Sequence, residues 1–265
     1  MVIPIHDTNP VRRTPWITYL LIAANIVVFV LAEPVVWGGG IAASGPAQLC
    51  RQEAFFDRYA AIPTELVHER QLAHPVEVLT DPVSHQSQCG VVSRPTYDKV
   101  PWRSVLYAMF LHGGWLHLLG NMLFLYVFGN NVEDRLGRLR YLAFYLGCGY
   151  IAAYGFAVAN AGSTAPLIGA SGAIAGVLGA YLVLYPKVRV TSLVPFLFFL
   201  PVRLPAWLVL GSWFLLQWLY SAGAAVAGGA GVAYLAHVVG FLVGALTVLV
   251  LGPRRRPRPS WRVAR

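Results

Sequence analysis

The residues best placed to do chemistry are a serine and a histidine on two different apolar segments. Ser171 lies in Ala165–Tyr181 and His237 in Val232–Leu251. A serine hydroxyl is a weak nucleophile until an adjacent base takes its proton, and imidazole is the usual base. A third apolar segment carries His117 and Asn121, whose i, i+4 spacing stacks them on one helix face. With the Ser171 backbone N–H they form a set of donors suited to a developing oxyanion, where each donor is worth about 2.7–4 kcal/mol. The chemistry implied is acyl transfer, with Ser171 attacking a carbonyl and His237 accepting its proton. No Asp or Glu lies in an apolar segment to orient His237, so the pair reads as a dyad.

Each residue also has a plainer reading. A lone serine in an apolar helix usually bonds back to the carbonyl four residues earlier. Gly169-Ala-Ser-Gly looks like a soluble hydrolase elbow, but G-x-S-x-G needs a glycine where Ala173 stands and a strand before it. His112, His117 and His237 could offer zinc three imidazoles. However, His112 and His117 are five residues apart and the chain has no H-E-x-x-H. No metal and no cofactor is expected.

The elements that must position these groups are membrane helices. Of the 265 residues 57% are hydrophobic and only 12% charged, against about 25% in ordinary soluble domains. The net charge of +9 is not spread as a nucleic-acid footprint. Basic residues cluster beside apolar segments: Arg12 and Arg13; Arg135, Arg138 and Arg140; Lys187, Arg189 and Arg203; and the Arg254–Arg265 tail. Acidic residues, among them Glu33, Asp57, Glu65, Glu77 and Asp98, gather between the first and second apolar segments. Lys and Arg are retained on the cytoplasmic side, so the split reads as topology, with no nucleic-acid partner.

In chain order, residues 1–15 form a cytoplasmic segment and Trp16–Ala32 a retained anchor, because Ala32-Glu33-Pro34 is a poor signal-cleavage site. Residues 33–101 form a long extracytoplasmic first loop, with Phe55–Tyr59 and Ile62–Val67 as short structured pieces. Cys50 and Cys89 are expected to pair there, on the side where disulfides persist, while Cys148 reads as a buried apolar thiol. His68, His74 and His85 are expected to be solvated. The remaining crossings are Val105–Gly129, Tyr141–Asn160, Leu167–Tyr185, Ala206–Ser221 and Val232–Leu251. Ala161–Pro166 and Gly223–Gly231 are external turns, and Thr191–Pro205 reads as a re-entrant or interfacial loop. The fold expected is an all-α six-helix membrane bundle spanning 16–252, with both termini cytoplasmic and a basic tail at 253–265.

Depth brings the groups together. Ser171 and His237 each fall four or five residues into helices entering from outside, roughly 6–8 Å below the outer end. Gly172, Gly176 and Ala180 on one helix and Gly240-x-x-x-Gly244 on the other are the small residues that allow membrane helices to pack tightly.

These motifs resemble the rhomboid intramembrane serine proteases over about residues 1–252, least in the long insertion. The matching parts are His117-x-x-x-Asn121, Gly169-x-Ser171-Gly and Ala236-His237-x-x-Gly240-x-x-x-Gly244. Trp102-Arg103 and Glu133-x-Arg135 are similar to the family's first-loop and cytoplasmic-end motifs. The resemblance implies that Ser171 is the nucleophile, that His237 is the base, and that His117, Asn121 and the Ser171 amide form the oxyanion hole. Gly169 and His112 take supporting roles, His112 near the mouth of the site. The substrates implied are transmembrane segments of other proteins, cut near their outer end at a site opening to the extracytoplasmic side, in a bacterial inner membrane. A catalytically silent relative that binds transmembrane helices is the alternative. The sequence departs from some members at Ala175, where they carry a tyrosine against the histidine.

Overall fold

The computed structural model describes residues 2–33, 46–80, 87–195, 198–223 and 232–251. The described chain is mostly helical. In order its elements are β1 (Ile3–Asp7), α1 (Trp16–Ala32), α2 (Pro46–Tyr59), α3 (Pro63–His68), β2 (Val76–Thr80), β3 (Ser87–Val91), α4 (Pro101–Ala108) and α5 (Trp115–Phe124). A π-helical turn (Leu125–Gly129) leads into α6 (Asn130–Leu136). There follow α7 (Arg138–Ala159), α8 (Ser171–Leu184), β4 (Arg189–Val194), β5 (Leu200–Pro205), α9 (Ala206–Ser221) and α10 (Tyr234–Leu251).

Helix α8 is the axis of the molecule. Ala173 through Tyr181 are buried without interruption, and they pack with Leu125, Phe128, Tyr145, Leu210 and Phe241 from the surrounding helices. The outer helices are apolar on their free faces, with Leu20, Leu116, Val158 and Val250 exposed. Such surfaces are unusual in a protein surrounded by water and ordinary in one surrounded by lipid. α7 and α10 are long and apolar enough to cross a membrane, and α1 and α8 are shorter apolar helices.

Two segments differ from expectation. The second apolar segment does not run from Val105 as one helix. It breaks over Met109–Gly114, where a Gly113-Gly114 pair weakens helical propensity, and α5 restarts at Trp115 and continues through the π turn to Leu136. Thr191–Pro205, expected as a re-entrant or interfacial loop, is most of a β-hairpin, whose register pairs Arg189 with Pro205 and Val194 with Leu200. β1 adds to its other edge, giving the order β1-β4-β5. The all-α expectation therefore fails at two places, this sheet and the β2-β3 hairpin. Val190, Ser192 and Val194 are buried in strict alternation, the period of a strand.

Polar contacts join the base of the molecule. Glu133 accepts hydrogen bonds from the Ile17 and Thr18 backbone amides (3.1 and 2.8 Å) and from the Thr18 hydroxyl (2.8 Å). It thus satisfies the open N-terminus of α1, which has no side-chain cap of its own. Asp7 of β1 accepts from the Tyr181 hydroxyl and from Asn131 Nδ2.

The first loop is a built structure. Lys99 and Glu65 form an ion pair at 2.6 Å, with both side chains almost fully buried. Lys99 also donates to the Asp57 carbonyl, and Asp57 Oδ2 accepts from the Val76 amide. Burial lowers the Lys99 ammonium from its usual range and raises the Asp57 carboxyl. Phe55–Tyr59 and Ile62–Val67, expected as short structured pieces, fall within α2 and across α3. Cys50 is disulfide-bonded and Cys148 is free and buried. The side chain of Cys89 lies outside the described residues, as do His85, nearly all of the Gly223–Gly231 loop and the 253–265 tail. His68 and His74 are exposed.

Candidate active site

Ser171 opens α8. Ile174 N–H already bonds to the Ala170 carbonyl, so the amides of Ser171, Gly172 and Ala173 have no partner inside their own helix. With no preceding turn of α8 to bond back to, the Ser171 hydroxyl meets His237 instead. Its Oγ lies 2.7 Å from His237 Nε2. His237 stands in the first turn of α10, so the serine and the histidine share one level on neighbouring helices.

The glycines explain the approach. A Cβ added at Gly240 would collide with the Gly172 carbonyl, one at Gly244 with the Gly176 carbonyl, and one at Gly179 with the Phe241 carbonyl. Each collision is with backbone on the opposite helix, which no rotamer change can relieve. α8 and α10 therefore touch main chain to main chain, as small-residue ladders permit.

His117 and Asn121 reach the same place from α5. The Gly113 amide donates to His117 Nδ1 at 3.3 Å. That nitrogen is then an acceptor, which leaves the proton on Nε2 in the neutral ring. His117 Nε2 faces Gly169, where an added Cβ would sit 2.8 Å from it and 3.6 Å from Asn121 Nδ2. Asn121 Nδ2 is buried with no hydrogen-bond partner among the described residues. Two N–H donors thus converge on the Gly169 backbone, two residues before Ser171. Gly169 holds φ +111°, a conformation costly for any residue with a Cβ, and its amide donates to the Ala108 carbonyl.

His112 lies against His117 rather than in hydrogen-bond contact with Ser171 among the described residues. It is fully buried, edge-on to His117 at 5.1 Å between ring centres and edge-on to Phe29 at 6.5 Å. Its backbone amide donates to Glu33 Oε1 at 2.7 Å. It packs beside one of the two donors, His117.

Two groups at the site escaped the sequence reading. Gln217 on α9 places Oε1 2.8 Å from His237 Nδ1. Trp213, one turn earlier on α9, lies over the His237 ring at 6.0 Å with a 34° tilt. The aromatic neighbour that Ala175 does not supply from α8 comes from α9. The available signal for Gln217 was its polarity within Trp213–Tyr220. Asn25 carries the same signal in α1 and, among the described residues, bonds only the Leu21 carbonyl of its own helix, so polarity alone does not separate them.

A family model for the rhomboid domain matches residues 99–254, which contain Ser171, His237 and both donors. The chain belongs to the rhomboid family. Members of this family are embedded in membranes and are generally intramembrane serine proteases. Among relatives, this rhomboid chain is 39% identical over 85 residues to YdcA of Bacillus subtilis (strain 168), which bears a rhomboid-protease name. The match covers 31% of this chain and 40% of YdcA. It is 27% identical over 173 residues to RHOMBOID-like protein 5 of Arabidopsis thaliana, covering 65% of this chain and 52% of that protein. It is 30% identical over 148 residues to the mitochondrial Rhomboid protein 1 of Saccharomyces cerevisiae, covering 54% and 40%. The matches therefore span about half or less of those relatives' own lengths.

Proposed function

We propose that this rhomboid is an intramembrane serine endopeptidase that hydrolyses peptide bonds in or near transmembrane segments of other membrane proteins. The observation that carries the reading is the 2.7 Å contact between Ser171 Oγ and His237 Nε2 across two helices in backbone contact. In the proposed reaction His237 Nε2 takes the hydroxyl proton as Ser171 Oγ attacks the scissile carbonyl. His117 Nε2–H, Asn121 Nδ2–H and the Ser171 amide stabilise the oxyanion. His237 then passes its proton to the leaving amine. Water hydrolyses the acyl-enzyme by the same steps, with His237 again as base.

Helix length supports a submerged site. With 14 residues, α8 extends about 21 Å, whereas a bilayer's hydrocarbon core is about 30 Å thick. If the Leu184 end sits at the cytoplasmic face, Ser171 lies well below the outer surface. The site then opens to the extracytoplasmic side of a cell membrane, with six crossings and the basic clusters inside.

The test is a single-pass reporter helix reconstituted with wild type, Ser171→Ala, His237→Ala and Asn121→Ala. Cleavage is expected from wild type and lost in the first two. It should be partly retained in Asn121→Ala, where two donors remain. Cleavage by Ser171→Ala would remove the nucleophile assignment. A wild type that binds the reporter without cutting it would favour a silent helix-binding rhomboid.

A further inference from the structure

We propose that Gln217 is a positioning residue for His237, so that the reactive Ser171–His237 pair is held in place by a third hydrogen-bonded side chain. This rests on the protease reading above. His237 is engaged at both ring nitrogens, by Ser171 Oγ at 2.7 Å and by Gln217 Oε1 at 2.8 Å. To act as a base, the ring must present an unprotonated Nε2 to the serine, so its proton must reside on Nδ1. A carboxamide oxygen facing Nδ1 accepts that proton's hydrogen bond and fixes the tautomer. The reversed amide would donate to Nδ1, move the proton to Nε2 and disable the base.

The surroundings sharpen the constraint. Gln217 is buried, so little water competes for the bond. Trp213 sits one turn away on the same face of α9 and restrains the ring plane. When Nε2 takes the serine proton, the Nδ1–H stays on the histidine and its bond to Gln217 becomes charge-assisted. No proton moves to the amide.

The experiment measures kcat and KM for reporter-helix cleavage across pH in bilayers, using wild type, Gln217→Leu and Gln217→Glu. Gln217→Leu should lower kcat by about 10–100-fold with KM little changed, the loss expected for one hydrogen bond to a charged group. Gln217→Glu keeps an acceptor at Nδ1 and should recover most of kcat. Its negative charge favours the protonated ring, so the acidic limb of the rate profile should move to higher pH. Wild-type kcat in Gln217→Leu overturns the assignment. So does an equal loss in both variants with the acidic limb unmoved, which marks a packing role. Absence of Ser171-dependent cleavage in wild type overturns the protease reading and this proposal together, whereas either of the first two results overturns this proposal alone.

Discussion

At the scale of single residues, the donors are set by what lies behind them. His117 can offer Nε2–H only because the Gly113 amide occupies its Nδ1. The segment carrying Gly113 is held in turn by the His112 amide bonded to Glu33. Burial pushes the Glu33 carboxyl up to about 8, against an ordinary 4.5, with the His112 bond opposing the shift. A folded-state value above the unfolded one means that the folded protein holds the proton more tightly. The stability associated with neutral Glu33 is full below about pH 4.5 and is lost as pH rises toward and through about 8. Thermal unfolding of wild type and Glu33→Gln in bilayers between pH 5 and 9 checks this. The wild type should lose melting temperature with rising pH more steeply than the glutamine variant, and parallel curves would remove Glu33 from the account. Ser171, His237, His117 and Asn121 were legible because depth matched the first two on different segments, i, i+4 spacing joined the second two, and all four fall in recognisable motifs. Gln217 was not, because contact with His237 depends on how α9 is rotated, which an apolar segment without charge asymmetry does not encode.

At the scale of elements, one helix pair decides whether the site exists. The α8–α10 contact leaves no room for a methyl group at Gly244, whereas the space around Gly147 on α7 is open. The same chemical change should therefore have opposite outcomes at the two positions. Gly244→Ala forces the helices apart, costs about 1–3 kcal/mol as overpacking does, and lengthens the Ser171–His237 contact. Gly147→Ala should leave melting temperature and cleavage near wild type. Equal tolerance of both changes in reporter cleavage and thermal unfolding would mean that the close approach is unnecessary. The ladder itself could be read from the four-residue spacing of Gly240 and Gly244. The β4-β5 hairpin could not, because a short apolar run fits a strand, a buried helix or an interfacial loop equally well. Its partner strand β1 lies more than 180 residues away in sequence from Leu193 and Ser192. The break at Met109–Gly114 was hidden for a similar reason, since the residues on both sides are apolar.

At the scale of the whole molecule, the first loop and the bundle form one packed body. Ala61 bridges to Leu167, whose amide donates to the Ala61 carbonyl at 2.7 Å, and the Thr64 amide donates to the Ser163 carbonyl. The lead-in to Gly169 and Ser171 is therefore fixed by the first loop, which the buried Lys99–Glu65 pair holds in shape. Membrane character was the most legible property, because composition and charge distribution report it without any tertiary contact. The central claim is narrower: Ser171 is a nucleophile because His237 activates it. The most direct measurement is mass-spectrometric mapping of the adduct left by a serine-phosphonylating fluorophosphonate on the protein in bilayers. The account predicts one modified residue, Ser171, with labelling lost in His237→Ala. An adduct on another serine, or Ser171 labelling that persists at the wild-type rate without His237, would contradict it.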